Sequence, residues 1–334
     1  MFHSKFEEFL FYLRDKKILI TTHDLVDIDG FVSCIILQFF FNEYFNQPVS
    51  VFFAELSKLT RNFMKKFTTK FPNYTFDYET DIDPNEYDIC LLVDTNDISQ
   101  LRFNHSRESQ LVIPYIIIDH HHFNKTKQNN VNFVSLNLIS DKISSSAEIV
   151  LKLLESQNQD LTTPQRYLLA AAIIIDSGFF KYGNNDTIKT ISKLLDNKVI
   201  FQDLLPMLEA EVDVSEKIAK IKGLQRVDLI RSGDYLIGVS NVSSFGASVS
   251  SMLIKNGFDI AIVYSEEKDK KIINSRANKN ICLKTGLHLG KILEDLSEYS
   301  EGSGGGHDGA ASITFHADLE KVLSKFVEKI KQFL

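Results

Sequence analysis

Two hydrophobic patterns divide the chain. Up to residue 122, short runs of β-branched and aromatic residues alternate with longer stretches whose apolar positions recur at helical spacing. Ile18–His23, Val49–Glu55, Tyr87–Asp94 and Tyr115–His120 read as strands buried on both faces, because their apolar positions run on without polar alternation. Helices are expected between them at Phe31–Phe45 and at Lys58–Phe71, the latter with its apolar face at Leu59, Phe63 and Phe67. Strand and helix in alternation predict a parallel sheet covered on both sides. Beyond His122 the pattern turns helical, over Ser145–Glu155, Pro164–Ile175 and Asp186–Leu195. Ser145-Ser146-Ala147-Glu148 reads as a helix start. A charged helical stretch, Val212–Arg226, leads to strands at Tyr235–Val242, Asp259–Glu266 and Lys271–Asn278. These flank a helix at Ala247–Lys255, and an amphipathic helix at Leu319–Leu334 closes the chain. The expectation is an α/β protein with a larger parallel-sheet domain over 1–205, a helical linker over 206–230 and a smaller α/β domain over 231–334.

Composition narrows the functional classes. With 334 residues, the chain is long enough for two domains with substantial cores. Its 26 phenylalanines and absent tryptophan give it a core-forming aromatic content. The net charge of −7 disfavours a protein that coats long duplex DNA electrostatically. Cys34, Cys90 and Cys282 form no C-x-x-C pair, which argues against a disulfide framework or a structural zinc site. The N-terminus is charged at both ends, unlike a signal peptide. The longest apolar run, Phe31–Phe41, is broken by Ser33 and Gln38 and is too short to span a bilayer. A soluble cytoplasmic protein without membrane partners is expected.

The candidate chemistry collects at strand ends, the rim where open parallel sheets bind ligands. The first strand runs into His23, Asp27 and Asp29. The third ends at Asp94, followed by Asn96 and Asp97, and the fourth ends at Asp119-His120-His121-His122. Asp176 follows the apolar run 170–175. Each piece has an ordinary reading as a turn or a helix cap. Together they place four carboxylate-bearing ends on one rim, which calls for compensating positive charge. Divalent ions supply it, and imidazoles among the ligands favour Mn²⁺ or Zn²⁺ over Ca²⁺.

The order H-x-x-x-D-x-D, an isolated strand-end Asp, D-H-H and a later Asp resembles the DHH phosphoesterase superfamily. Gly-Gly-Gly-His at 304–307 is similar to its first subfamily, which includes RecJ exonucleases and the nanoRNase and pAp-phosphatase proteins of NrnA type. The resemblance implies a DHH domain and a DHH-associated domain with the active site in a cleft between them. It implies two divalent ions, Mn²⁺ with Mg²⁺ as the alternative. One would be held by His23, Asp27 and Asp94, the other by Asp29, Asp94, His120 and Asp176, so that Asp94 bridges. Asp119 would orient His120, and His121 would lie near the scissile phosphate. His122 receives no role. Arg276, Gly304, Gly305, Gly306 and His307 would grip the substrate. The sequence departs from the family's Ser-x-Arg-Ser context at Asn274 and Ala277, and it has Ser303 where a fourth glycine is common.

The implied activity is phosphodiester hydrolysis of short RNA or DNA oligonucleotides or dinucleotides, with pAp and pApA as variants. A RecJ-like single-strand exonuclease with a replication or repair partner is the alternative, and a non-catalytic nucleotide-binding homologue is the alternative of another class. A homodimer is compatible with either. Superfamily pyrophosphatases have a different second domain that lacks Gly-Gly-Gly-His. Gly304, Gly306 and Gly309 formally satisfy G-x-G-x-x-G, but only 25 residues follow, too few for a dinucleotide-binding βαβ unit.

Overall fold

The apolar runs of the first half become the central strands of a parallel sheet because every residue in them can be buried on one face or the other. The computed structural model describes residues 3–45, 49–103, 111–122, 134, 136–196, 198–209, 213–267 and 270–334. The chain forms two compact units, Met1–Glu211 and Val212–Leu334. In order, the first contains α1 (His3–Leu13), β1 (Ile18–Thr21), β2 (Leu25–Val26), α2 (Ile28–Phe45), β3 (Val49–Phe52), β4 (Glu55–Leu56) and α3 (Lys58–Lys70). It continues with β5 (Ile89–Val93), β6 (Tyr115–Asp119), β7 (Leu138–Ile139), α4 (Ser146–Ser156), α5 (Thr163–Asp176), α6 (Asn185–Leu194) and α7 (Phe201–Leu208).

The five-stranded sheet has the order β3-β1-β5-β6-β7, all parallel. From β1 the chain crosses through α2 to β3 on one side, and then through α3 to β5 on the other. The strand order therefore reverses between β1 and β5, and such a reversal opens a crevice at the carboxyl ends of the strands. Helix α2 is apolar around nearly its whole circumference and is correspondingly buried, between the sheet and helices α4 and α5. Phe31, Phe53, Phe67, Phe76 and Tyr78 pack edge-on or tilted around it, with ring centroids 5.1–6.4 Å apart along Phe31's contacts.

Two expectations needed correction here. The strands stop one to three residues early, which leaves His23, Asp94 and His120 in the loops just beyond them. Helix α2 begins three residues before Phe31, because Asp27 Oδ1 accepts the Gly30 N–H at 3.0 Å and caps it. Asp29-Gly30 is therefore a first helical turn rather than a loop.

The second unit contains α8 (Val214–Gln225), β8 (Asp228–Ser232), β9 (Tyr235–Asn241), α9 (Gly246–Lys255), β10 (Ile260–Glu267), β11 (Lys270–Ala277), α10 (Lys279–Thr285), α11 (Leu289–Tyr299), β12 (Ser303–Gly306), β13 (Ala310–Phe315) and α12 (Leu319–Lys331). Its six strands are ordered β12-β13-β11-β10-β9-β8, antiparallel except for the β9–β10 pair that α9 connects. Of the 206–230 stretch, Pro206–Leu208 belongs to α7 in the first unit. Helix α8 belongs to the second, where a Cβ on Gly223 would come within 2.4 Å of Val249. Among the described residues, no helix is long and apolar enough to cross a membrane.

Candidate metal centre

Four segments converge at the β1–β5 crevice: residues 23–29, Asp94, Asp119–His121 and Asp176. The His23–Asp27 loop is pinned by β2, which pairs in parallel with β4. Gly30 lets the loop turn back closely, since a Cβ there would lie 2.5 Å from Thr22 Oγ1. Asp94, directly after β5, sits at φ 59°, the left-handed region that Asp enters more readily than most residues. Its N–H donates to Ile118 O at 2.9 Å. Asp176 is the last residue of α5.

Asp94 lies at the middle of the cluster, with its two oxygens facing two groups. On the Oδ2 side, His23 Nε2 is 3.9 Å from Asp94 and 3.8 Å from Asp27 Oδ2. On the Oδ1 side, His120 Nε2 is 3.4 Å from Asp94 and 3.1 Å from Asp176 Oδ2. His23, Asp27 and Asp94 can place one ligand atom each within 4.8 Å of one another, and so can Asp29, His120 and Asp176. These are the six residues expected as metal ligands, and the structure brings them together. The cleft over them has a volume of about 460 Å³, and Thr95, Asn96, Asp97 and Gln100 help to line it.

Asp119 departs from expectation. Its Oδ1 bonds His121 Nδ1 at 2.8 Å and accepts the His121 N–H at 3.2 Å, while Oδ2 accepts from Asn96 Nδ2 at 2.6 Å. The residue it orients is thus His121, not His120. The chain turns immediately after β6, which brings residue i+2 over the carboxylate and aims His120 the other way, at Asp94 and Asp176. His122 lies outside the ligand groups, 3.4 Å from Asp141.

The electrostatics mark a place built for cations. Burial, then the charges of Asp27, Asp176 and Asp119, push the Asp94 carboxyl well above its usual range. Burial, then Asp94 and Asp176, do the same to Asp29. Burial also raises Asp176, against the pull of His120, and lowers His120. At Asp27 burial acts upward, but the His23 and Gly30 hydrogen bonds outweigh it and hold the carboxyl low. The Asp119 hydrogen bond keeps the His121 imidazole cationic to higher pH than an ordinary histidine. Among the described residues no Lys or Arg pairs with any of these carboxylates. For Asp29 the compensation comes from the start of α4, where Ser146 and Ala147 N–H groups donate to its two oxygens at 2.7 and 3.0 Å. Ser146 Oγ donates to Asp94 Oδ1 at 3.1 Å.

A divalent ion fits this donor set. His120 Nε2 and Asp176 Oδ2 are buried atoms with no hydrogen-bond partner, a costly condition that a shared ion would relieve. Hard oxygens mixed with imidazole suit a first-row divalent metal.

Arg276 and the glycine-rich segment lie in the second unit. Ser303–Gly306 is not a loop but the edge strand β12, paired with β13. Arg276 and Gly306 flank β13 at neighbouring rungs, opposite Ala310 and Ala311 respectively. Packing already accounts for two glycines. A Cβ on Gly304 would meet Ile313 at 2.8 Å, and Gly306, at φ 143°, would meet Ala310 O at 2.4 Å. Gly305 has open space where a Cβ would go, so nothing within this unit requires it to be glycine. His307 is exposed, and its backbone bridges Ala310 O and Gly290 N–H.

Comparison with known proteins matches two family models to the chain. The model of the DHH family, N-terminal domain, matches residues 17–175, and the DHHA1 domain model matches 240–334. The chain belongs to the DHH phosphoesterase superfamily. DHH-family members are generally phosphoester hydrolases, and the family is divalent-metal dependent. An uncharacterized protein of Methanocaldococcus jannaschii is 27% identical over 324 residues, 97% of this chain and 94% of its own length. The solved structure of an exopolyphosphatase-related protein from Bacteroides fragilis aligns with a TM-score of 0.68 at 16% identity. That alignment covers 99% of this chain and 96% of the other, and it shows a shared fold.

Sequence reasoning missed two members of the DHH site. Asn96 was visible only as a polar residue after a strand end. Ser146 read as part of a helix start, and nothing local signals that its hydroxyl reaches across 52 residues to Asp94.

Proposed function

We propose that this protein hydrolyses phosphodiester bonds of short oligonucleotides, in the manner of a nanoRNase, using two Mn²⁺ ions on the rim of its first sheet. The observation that carries the reading is Asp94, whose separate oxygens face two distinct His/Asp groups, the arrangement a bridging carboxylate needs. His23 and Asp27 would hold one ion and Asp29, His120 and Asp176 the other. When bound, the ions neutralise the carboxylates, supply Lewis-acid stabilisation of the phosphate and favour deprotonation of the attacking water.

The chain's own side chains do the rest. Asp119 and Asn96 fix His121, whose exposed imidazolium donates a hydrogen bond to a non-bridging phosphate oxygen as charge grows there. Ser146 fixes the Asp94 carboxylate by donating to its Oδ1. In the second unit, Arg276, Gly305 and His307 bind the terminal nucleotide, Arg276 through charge-assisted contacts and Gly305 by letting the substrate approach the backbone closely.

The test is a panel with Mn²⁺: RNA and DNA from dinucleotide to 24-mer, pAp, pApA, pyrophosphate and polyphosphate. The reading requires fastest turnover on two- to four-nucleotide substrates. Preference for long single strands would favour the RecJ-like alternative, and turnover confined to pyrophosphate or polyphosphate would refute both.

A further inference from the structure

We propose that the outward face of α3 is a track for the phosphodiester backbone of single-stranded nucleic acid, leading away from the metal centre. The inference rests on the oligonucleotide reading above and extends it to phosphates beyond the one cleaved. Helix α3 carries five cations, Lys58, Arg61, Lys65, Lys66 and Lys70, and no acid, in a chain of net charge −7. Two of the five have internal work. Lys66 Nζ donates to the carbonyls of Pro206 and Glu209 at 2.8 and 3.0 Å, and Lys70 Nζ pairs with Asp203 at 2.7 Å. Lys58, Arg61 and Lys65 are exposed and form no ion pair among the described residues. Arg61 contributes one hydrogen bond, to Leu56 O.

These three share one face. At about 100° per residue they fall within roughly 60° of one another on the helix. That face is opposite Thr60, Phe63 and Phe67, which are buried. Two of the three occupy the start of the helix, where the macrodipole disfavours positive charge. Helix stability therefore does not explain their placement.

Their position does. The first turn of α3 is fastened to the metal-ligand loop: Ser57 N–H and Thr60 Oγ1 donate to Val26 O at 2.8 and 2.9 Å, and Val26 is the residue before Asp27. The stripe thus starts on a helical turn that is tied to the loop carrying Asp27. From Lys58 to Lys65 it covers about 10 Å of helix axis, room for about three phosphates of a stacked strand. Anionic backbone leaving the centre would meet unpaired cations in sequence.

The experiment measures binding apart from cleavage. A fluorescein-labelled twelve-nucleotide oligothymidylate with phosphorothioate linkages is titrated with Mn²⁺-loaded protein between 50 and 200 mM KCl, with anisotropy as the readout. Each cation on a single strand contributes about 0.7 to the slope of log affinity against log salt. The Lys58→Gln/Arg61→Gln/Lys65→Gln variant should therefore lose about 2 from that slope, so that wild type weakens about 20-fold more than the variant across this range. The charge-preserving Lys58→Arg/Arg61→Lys/Lys65→Arg variant should keep the wild-type slope, which controls for folding. Dinucleotide hydrolysis should be unchanged in both. An unchanged slope in the neutral variant, equal damage to dinucleotide turnover, or no wild-type binding of the twelve-mer overturns the track. Absence of dinucleotide hydrolysis by wild type would instead overturn the nuclease reading, and the binding slopes would still decide the track.

Discussion

Replacing the central carboxylate with its amide should stabilise the metal-free protein while destroying its function. In Asp94→Asn the side chain keeps its shape, its Oδ1 still accepts from Ser146 Oγ, and Asn tolerates the φ of 59° as well as Asp does. What disappears is a buried charge surrounded by like charges. Carboxylate oxygens of Asp94 and Asp27 can lie within 4.8 Å. At an effective dielectric constant of about 20, that separation corresponds to about 3 kcal/mol of repulsion. Asp27's side chain is 49% exposed, so solvent screening reduces the figure to about 1–2 kcal/mol. For a unit of this size the midpoint should rise by about 2–8 °C in EDTA. The pH dependence has a definite sign. A carboxyl raised in the fold favours its neutral form, so the stability it contributes is present below the unfolded value near 3.9 and is lost as pH rises through the folded one. Metal-free wild type should therefore gain stability on acidification from neutral pH, and Asp94→Asn should do so less. Adding Mn²⁺ should raise the wild-type midpoint and leave that of the variant nearly unmoved. Thermal melts with EDTA or Mn²⁺ at several pH values test all of this. An Asp94→Asn protein that melts below wild type in EDTA, or keeps the full Mn²⁺ shift, refutes the electrostatic account.

Other consequences follow from single contacts. Asp119→Asn should lower the His121 pKa in an NMR titration, because the carboxylate is the main cause of its elevation; since the cationic form is the useful one, the alkaline limb of the rate profile should move to lower pH. Arg276→Ala should raise KM for dinucleotides by about 10- to 100-fold, corresponding to about 1–3 kcal/mol of charge-assisted contact, with the Mn²⁺-induced stabilisation intact. Gly305→Ala should fold normally and lose oligonucleotide turnover, whereas Gly306→Ala should destabilise the second unit, as melting curves would show.

The parallel sheet was legible because buried strands advertise themselves as continuous apolar runs, and the candidate ligand residues were legible because each lies at or shortly beyond the end of one. Helix boundaries were less so. The cap that starts α2 at Ile28 belongs to Asp27, a residue whose chemistry drew attention for another reason. Strand β12 is nearly all glycine, a composition with low strand propensity; it is made by its pairing with β13, and it packs so closely on α11 that a Cβ on Gly290 would lie 2.2 Å from Gly306 O. Strand β8 went unread between the charged stretch that ends at Arg226 and the strand expected from Tyr235, since its residues are mostly exposed at a sheet edge and carry little apolar signal. The pairing of Asp119 with His121 depends on the direction of a turn, which residue order alone does not specify.

The central claim is that two divalent ions share Asp94 and that both are needed for phosphodiester hydrolysis. The most direct measurement is an activity titration: protein stripped with EDTA, exchanged into chelator-free buffer and assayed on a dinucleotide as Mn²⁺ is added in fractions of an equivalent. The account predicts no turnover without metal and a rise that levels off at two ions per chain. Turnover by the stripped protein, or a plateau at one ion, would contradict it.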